Sequence, residues 1–407
     1  MPVNLVLPKA ESLIHVKGIR LGYAMAHIRK PNRKDLLAVQ IDSGSSVSGI
    51  FTTNKFCAAP VTVCKQNLAS KSEIRALIVN TGNANAGTGE IGLKQANLTC
   101  EIAAEILNIQ SNQILPFSTG VILESLPIDR IIQNLPEVIQ NNNASWLDAA
   151  ETIMTTDTQP KAYSRQINFN GELITITGIS KGAGMIKPNM ATMLAFIATD
   201  ANITQEVLDE MLKDIAEQSF NCITIDGDTS TNDSFILIST NKCVKHKIDN
   251  KNSAGYLEIK QVILEAAQFL AQAIVRDGEG ATKFITISVK NADSQDDAKK
   301  IAYSIAHSPL VKTAFFACDP NLGRILAAIG YAQANIQIEK IDMYLNSVKV
   351  VENGSRFAQY TEEQGQQVMK NSEIEIIIDL QQGKDCTKIW TCDLSHDYVS
   401  INADYRS

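Results

Sequence analysis

The chain has 407 residues, with 37 Lys and Arg against 44 Asp and Glu, a net charge of −7 and 44% apolar side chains. That length implies two or three domains with a substantial core, and the composition excludes a disordered or fibrous protein. The acidic balance argues against nucleic acid as a partner, and no apolar run reaches the ~20 residues a membrane-spanning helix needs. Residues 1–18 lack a basic stretch followed by an apolar one, so a cytoplasmic location is expected.

In chain order, residues 36–41 and 75–80 read as strands, the second entering a Gly/Asn loop at 80–87. Leu98, Ile102, Ile106 and Ile109 recur at helical spacing. Residues 173–179 alternate as a half-buried strand, and 193–198 form a short apolar run. Val207, Met211 and Ile215 beside Leu208, Leu212 and Ala216 predict a second helix, with Thr204 as its N-cap. Strands are expected at 222–225 and 235–239, flanking an acidic loop at 226–233. Ile263, Ala267, Leu270 and Ile274 predict a third helix, stopped by Asp277-Gly278. Ser294 with Asp297 resembles a capping box ahead of Ile301 and Ile305. Residues 373–379 and 388–391 read as two strands paired around a Gln-Gly-Lys-Asp turn. The pattern is that of an α/β or α+β protein, with the polar stretch 291–297 marking a smaller C-terminal domain.

The eight cysteines include no C-x-x-C and read as free thiols in a reducing compartment. The five histidines form no pair at ligand spacing, so no metal is expected. No G-x-S-x-G elbow occurs either. The loop at 226–233 has acidic and amide side chains at alternating positions. It lacks the Glu a calcium loop carries at its twelfth position and reads as a solvated or substrate-proximal turn.

The segment 178–195 is the most unusual. A strand ends near Ile179, a loop with Gly182, Gly184, Lys181 and Lys187 follows, and an apolar run begins after Ala191-Thr192. A phosphate cradle is one reading, but the third glycine of a dinucleotide fingerprint and the Gly-Lys-Ser/Thr of a P-loop are missing. A plain turn returning a strand to the core is another. Self-processing is the third: a hydroxyl after a small residue attacks its own upstream carbonyl, and hydrolysis of the ester leaves a chain beginning with Thr192. Such a threonine carries nucleophile and base together, because its freed α-amine has a pKa of about 7.7–8.0 and needs no histidine.

The string 181–195, read with Gly49-Ile-Phe-Thr-Thr-Asn54, Asn80-Thr-Gly-Asn-Ala-Asn-Ala-Gly87, Ser118-Thr-Gly-Val121, the segment 154–161, the loop 226–233, Arg276-Asp-Gly-Glu-Gly-Ala-Thr-Lys283 and the tail 397–407, resembles the ornithine acetyltransferase (glutamate N-acetyltransferase) family nearly end to end. Two local departures occur: Leu322 stands where the family commonly shows Trp, and Ser407 where Thr is common.

The resemblance implies an α/β fold, a layered αββα sandwich of the self-processing kind over 1–287, with a smaller α/β domain at 288–407 whose tail returns to the active site. It implies cleavage between Ala191 and Thr192. Thr192 is then the nucleophile that passes acetyl from N-acetylornithine to glutamate. Thr119 and Gly120 look like the oxyanion hole. Thr155, Lys181, Glu279, Asn402 and Ser407, with Thr192, match substrate-binding positions; Thr156 and Thr158 stay open as alternatives to Thr155. Lys181 suits a carboxylate and Glu279 an amine. No cofactor is implied, and acetyl-CoA as a second donor stays open. So does the assembly, expected to hold two or more copies of each fragment. A self-processing aminopeptidase or amidase is the rival enzyme, and an uncleaved amino-acid-binding protein the non-catalytic one.

Overall fold

The computed structural model describes residues 2–187 and 193–404, so Ala191, Thr192 and Ser407 lie outside the described residues. Two compact units are present: a larger one of residues 6–221 and 228–274, and a smaller one of 2–5, 222–227 and 275 onward.

In chain order the larger unit carries β1 (Ile19–Ala24), β2 (Leu36–Ile41), β3 (Ser46–Phe51), α1 (Ala59–Ala69), β4 (Ala76–Asn83), α2 (Gly89–Leu107), β5 (Ile114–Val121), α3 (Ile128–Gln140) and α4 (Trp146–Thr152). It continues with β6 (Lys161–Phe169), β7 (Glu172–Lys181), β8 (Leu194–Thr199), β9 (Asn202–Ile203), α5 (Gln205–Glu217), β10 (Ser234–Ser239), β11 (Lys247–Ile248) and α6 (Tyr256–Arg276), which reaches the division at 274/275. A four-stranded sheet runs β1-β2-β4-β5 and a five-stranded sheet β3-β10-β8-β7-β6; β9 pairs with β11.

Strand alternation explains the layers. Leu37, Val39, Leu77, Val79 and Phe117 of the first sheet share a core with Ile179, Phe196 and Ile236 of the second. Phe117 and Phe196 meet edge-on across that core at 5.1 Å between centroids. The intervening positions Leu36, Ala38, Ile78 and Ile114 face the other way, onto Ala96, Cys100 and Ala103 of α2 and Ile131, Leu135 and Val138 of α3. On the far face of the second sheet, Ser180 donates to the Leu270 carbonyl of α6 at 3.3 Å, and Phe220 packs on Phe235 at 4.8 Å. Covered on both faces, β2, β8 and β10 are buried at every residue. The expected helix–sheet–sheet–helix sandwich is therefore present.

Several expected elements shift. The helix foreseen from Leu98 onward starts at Gly89 and ends at Asn108, a left-handed cap, so Ile109 lies beyond it. Its buried face is the small-residue row Ala96, Cys100, Ala103 and Ala104, which lets the helix approach the sheet closely. Thr204 does precede α5, but its side chain makes no cap bond. Residues 222–225 are not a strand: Cys222 ends a 3₁₀ turn, and Ile223 forms an isolated bridge to Trp390.

The smaller unit is built on β12 (Phe284–Ala292), α7 (Gln295–Ala306), α8 (Pro309–Phe316), α9 (Leu322–Gly330), β13 (Asp342–Leu345), β14 (Val348–Glu352), β15 (Ser355–Arg356), α10 (Glu362–Met369), β16 (Glu373–Asp379), β17 (Asp385–Cys392) and α11 (His396–Ala403). Its sheet order is β15-β14-β13-β16-β12-β17. Thus β16 and β17 are not paired with each other as expected. Strand β12 lies between them, parallel to β16 and antiparallel to β17. The turn between them steps around its end, where the N–H groups of Gln382 and Gly383 both donate to the Asn291 carbonyl at 2.9 and 2.8 Å. Strand β12 pairs along its length within this unit, whose last segment runs from Val275 onward. The polar stretch 291–297 joins β12 to α7, where Ser294 accepts from the Asp297 N–H as the helix cap.

Candidate active site

Strands β7 and β8 end their antiparallel ladder at Lys181 opposite Leu194, so residues 182–193 are the connection that carries Ala191 and Thr192. Its described C-terminal end is fixed from two sides. The N–H of Met193 donates to Asp233 Oδ1 at 2.9 Å, and the Met193 carbonyl accepts from the Ser234 N–H at 3.0 Å. Asp233 is fully buried, with Oδ2 lacking a hydrogen-bond partner among the described residues. Burial pushes this carboxyl well above its usual range, against the opposing pull of the Met193 N–H and the Lys181 ammonium.

Thr119 and Gly120 sit at the end of β5, in parallel register with Thr81 and Gly82 of β4. Gly120 has φ +135°, and a Cβ there would lie 2.3 Å from the Gly82 carbonyl carbon. Only glycine fits that approach. The neighbouring Ser118 is held twice: its hydroxyl donates to Asn80 Oδ1 at 2.6 Å, and its carbonyl accepts from Asn232 Nδ2 at 2.8 Å. The same Asn232 amide donates to the Ala84 carbonyl at 2.7 Å. Asn80 in turn donates to the Asn83 carbonyl at 2.9 Å, and the Asn85 N–H donates to Asn83 Oδ1 at 2.8 Å. The Asn-rich loop 80–87 is thus a scaffold around the segment of Thr119, and Asn232-Asp233 connects that segment to Met193.

Thr155 and Thr156 are half-buried, while Thr158 is exposed. The Thr155 N–H donates to Asp157 Oδ2 at 2.9 Å, and its carbonyl accepts from Arg33 at 3.3 Å. Asp157 Oδ1 accepts from Lys161 Nζ at 2.6 Å and from the Gly182 N–H at 2.7 Å. Both side chains of this ion pair are wholly buried. Burial alone would raise the Asp157 carboxyl, but the Lys161 and Lys181 ammonium groups and the Gly182 N–H hold it well below the usual carboxylate range. Lys181 ends β7 and is itself buried.

In the smaller unit, Glu279 is buried and accepts from Asn402 Nδ2 of α11 at 2.8 Å. Helix α11 docks through Ser395, whose hydroxyl donates to the Gly280 carbonyl at 2.6 Å while capping the Tyr398 N–H. Gly280, at φ +70°, leaves space that a Cβ would take from Ser395 Oγ. Tyr398 OH donates to Asp226 Oδ2 at 3.3 Å.

A family model described as the ArgJ family matches residues 20–407. The arginine biosynthesis bifunctional protein ArgJ of Colwellia psychrerythraea is 55% identical over 424 aligned positions, covering both chains in full. Its namesake from Neisseria meningitidis serogroup A is 54% identical over 409, again with both chains covered. The chain belongs to the ArgJ family. A crystal structure of the arginine biosynthesis bifunctional protein from Bacillus halodurans matches with a TM-score of 0.51 and 36% identity, covering 53% of this chain and 100% of that one.

For this ArgJ-family chain, Thr155 and Lys181 are drawn together through Asp157, and Glu279 is joined directly to Asn402. Asp157, Lys161, Asn232 and Asp233 had no role assigned from sequence. Their signal lay in the strings 154–161 and 226–233, where acidic and basic residues stand among small polar ones. Among the described residues no group of three or more His, Cys, Asp or Glu is gathered as a metal site would require. All eight cysteines are free thiols.

Proposed function

We propose that this protein is a glutamate N-acetyltransferase that moves the acetyl group of N2-acetyl-L-ornithine to L-glutamate within arginine biosynthesis, after cutting itself between Ala191 and Thr192. In the cut, Thr192 Oγ attacks the Ala191 carbonyl and the C–N bond breaks, which frees the Thr192 α-amine and leaves an ester; water then hydrolyses the ester to the Ala191 carboxylate and the Thr192 hydroxyl. In turnover the same Oγ attacks the acetyl carbonyl and the α-amine takes its proton. That proton passes to the departing ornithine amine, leaving acetyl-Thr192. The glutamate amine then attacks the ester and regenerates Thr192. Thr119 and Gly120 stabilise the tetrahedral oxyanion, at about 3–4 kcal/mol for a well-aimed donor. Lys181 takes a substrate carboxylate and Glu279 the side-chain amine of ornithine, with Thr155, Asn402 and Ser407 as further contacts.

What carries this reading is identity of 54–55% along the whole chain to bifunctional proteins of arginine biosynthesis. The string Ala191-Thr192 stands immediately before the residue that Asp233 anchors. The fragment sizes also support it. The piece beginning at Thr192 would hold 407 − 191 = 216 residues, 53% of the chain, and the Bacillus halodurans chain, itself covered in full, matches 53% of this one. Acetyl-CoA as a second donor and an assembly of two or more copies of each fragment belong to the same proposal.

The test is intact mass and N-terminal sequencing of the purified protein, followed by an assay with acetylornithine and glutamate. Two fragments, the second starting at Thr192, and formation of N-acetylglutamate with ornithine are expected. A single chain, or release of free acetate without transfer, would overturn the proposal. Acetyl-CoA offered as sole donor decides the second activity.

A further inference from the structure

We propose that the hydroxyl of Thr81 completes the oxyanion hole assigned to Thr119 and Gly120, donating a hydrogen bond to the acetyl carbonyl oxygen as the tetrahedral intermediate forms. This role rests on the reading of Thr119 and Gly120 as oxyanion donors and adds one catalytic residue to the same site. Thr81 transfers no proton; it only donates the hydrogen bond.

Thr81 lies on β4 in parallel register with Thr119 of β5, one rung before the Gly82–Gly120 pair. Strand alternation gives both threonines the face of Leu77, Val79, Leu115 and Phe117, the face turned toward the second sheet. Neighbouring strands lie about 4.8 Å apart, so one small group can reach both hydroxyls. Thr81 is 1% exposed, and its Oγ1 has no hydrogen-bond partner among the described residues. Every other polar side chain from 80 to 88 is used. Asn80 donates to the Asn83 carbonyl and accepts from Ser118, and Asn83 donates to the carbonyls of Glu124 and Ser125. Asn85 donates to the Gly92 carbonyl at 3.0 Å, and Thr88 to Asn85 Oδ1 at 2.9 Å. Even the Thr81 N–H is occupied, by the Asp35 carbonyl at 2.9 Å. A hydroxyl taken from water without a partner costs stability, and an extended strand, unlike a helix, offers it no carbonyl four residues back. Burial does not set Thr81 apart from the site, since Thr119 is 6% and Lys181 4% exposed. An oxygen gaining negative charge beside Thr119 and Gly120 supplies the missing acceptor, and supplies it only during reaction.

The experiment replaces the hydroxyl by a methyl of similar size, Thr81→Val, in the purified, self-processed protein. Transfer from acetylornithine to glutamate should lose about 100-fold in kcat, the effect of removing one oxyanion donor, with KM for acetylornithine unchanged. Thr81→Ser keeps the hydroxyl and should retain most of the native rate. L-Ornithine has no acetyl carbonyl, so its binding, measured by calorimetry, should be native in both variants. On a Thr192→Ala background the urea midpoint of Thr81→Val should not fall, because no bond within the protein is lost. A native kcat in Thr81→Val, a loss carried by KM or by ornithine binding, a Thr81→Ser variant as slow as Thr81→Val, or a lowered midpoint would overturn the inference. Thr81→Ala decides by the same comparisons should Thr81→Val not fold. Should Thr81→Val stay uncut, the rate of cutting takes the place of kcat, because that oxyanion forms on attack by the same Thr192 Oγ. Slow cutting restored by Thr81→Ser then supports the assignment, and slow cutting in both variants overturns it. A native protein that binds ornithine but transfers no acetyl would overturn the proposed reaction itself, and this donor with it.

Discussion

The carboxyl of Asp233 holds the backbone N–H of Met193 at 2.9 Å, one residue past the junction at which the chain is proposed to cut itself. The bond is wholly buried, and the next residue, Ser234, binds the Met193 carbonyl through its own N–H. Residue 193 is therefore fixed at both its polar backbone groups. Asp233→Ala should strand a buried N–H, costing about 1–3 kcal/mol, and should slow appearance of the two fragments after expression. Asp233→Asn keeps an acceptor oxygen and should cleave at close to the native rate. Time-resolved denaturing gels separate the two outcomes.

Thr192→Ala should give one uncut chain of 407 residues and no transfer. Loss of a covalent nucleophile costs rate by roughly 10³-fold or more. Thr192→Ser retains a hydroxyl and should still cut, with a serine detected at the new N-terminus.

Gly120→Ala should be far more damaging than an ordinary exchange of this size. The added carbon would sit within 2.3–2.6 Å of backbone atoms of Gly82 and Asn83, none of which can swing aside as a side chain would. Overpacking and the strained φ together should cost about 1–3 kcal/mol of stability. They should also pull β5 away from β4 where Thr119 sits. The check is a lowered urea midpoint together with a fall in kcat that exceeds any change in KM.

Much of the sandwich was legible before any coordinates. Runs such as 36–41 and 193–198 are apolar at every position but Gln40 because both faces of those strands are covered, and the helix cap at Ser294 falls where a polar side chain precedes periodic apolar ones. The partners of β16 and β17 were not legible. Two adjacent strands with a short polar turn look like a hairpin, and only tertiary structure shows β12 slotted between them. The small-residue face of α2 escaped for a similar reason: Leu98, Ile102 and Ile106 dominate the periodicity, whereas Ala96, Cys100 and Ala103 make the close contact. At the site, Thr119, Gly120, Thr155, Lys181, Glu279 and Asn402 were named by resemblance. The Asn232 link to Ser118 and the Asp157 link from Thr155 to Gly182 join residues far apart in the chain, so no local pattern announces them.

Asp157 and Asp233 should bend the acid stability of the protein in opposite directions. Burial opposes ionisation of both, but Asp157 faces two lysines that outweigh it, whereas at Asp233 burial prevails. For Asp157 the folded pKa lies below the unfolded value of about 3.9, so its contribution is complete above that pH and is lost as pH falls further. For Asp233 the folded pKa lies above the unfolded value. Its contribution is complete below about pH 3.9 and is lost as pH rises toward the folded pKa. Urea midpoints measured from acid to neutral pH on a Thr192→Ala background, which keeps one chain, separate the two. Asp157→Asn should lower the midpoint near neutrality, because Lys161 loses its carboxylate, and should flatten the decline at the acid end. Asp233→Asn should leave the acid end unchanged and raise the midpoint near neutrality. Parallel shifts of both variants across the whole range would contradict the assigned charge states.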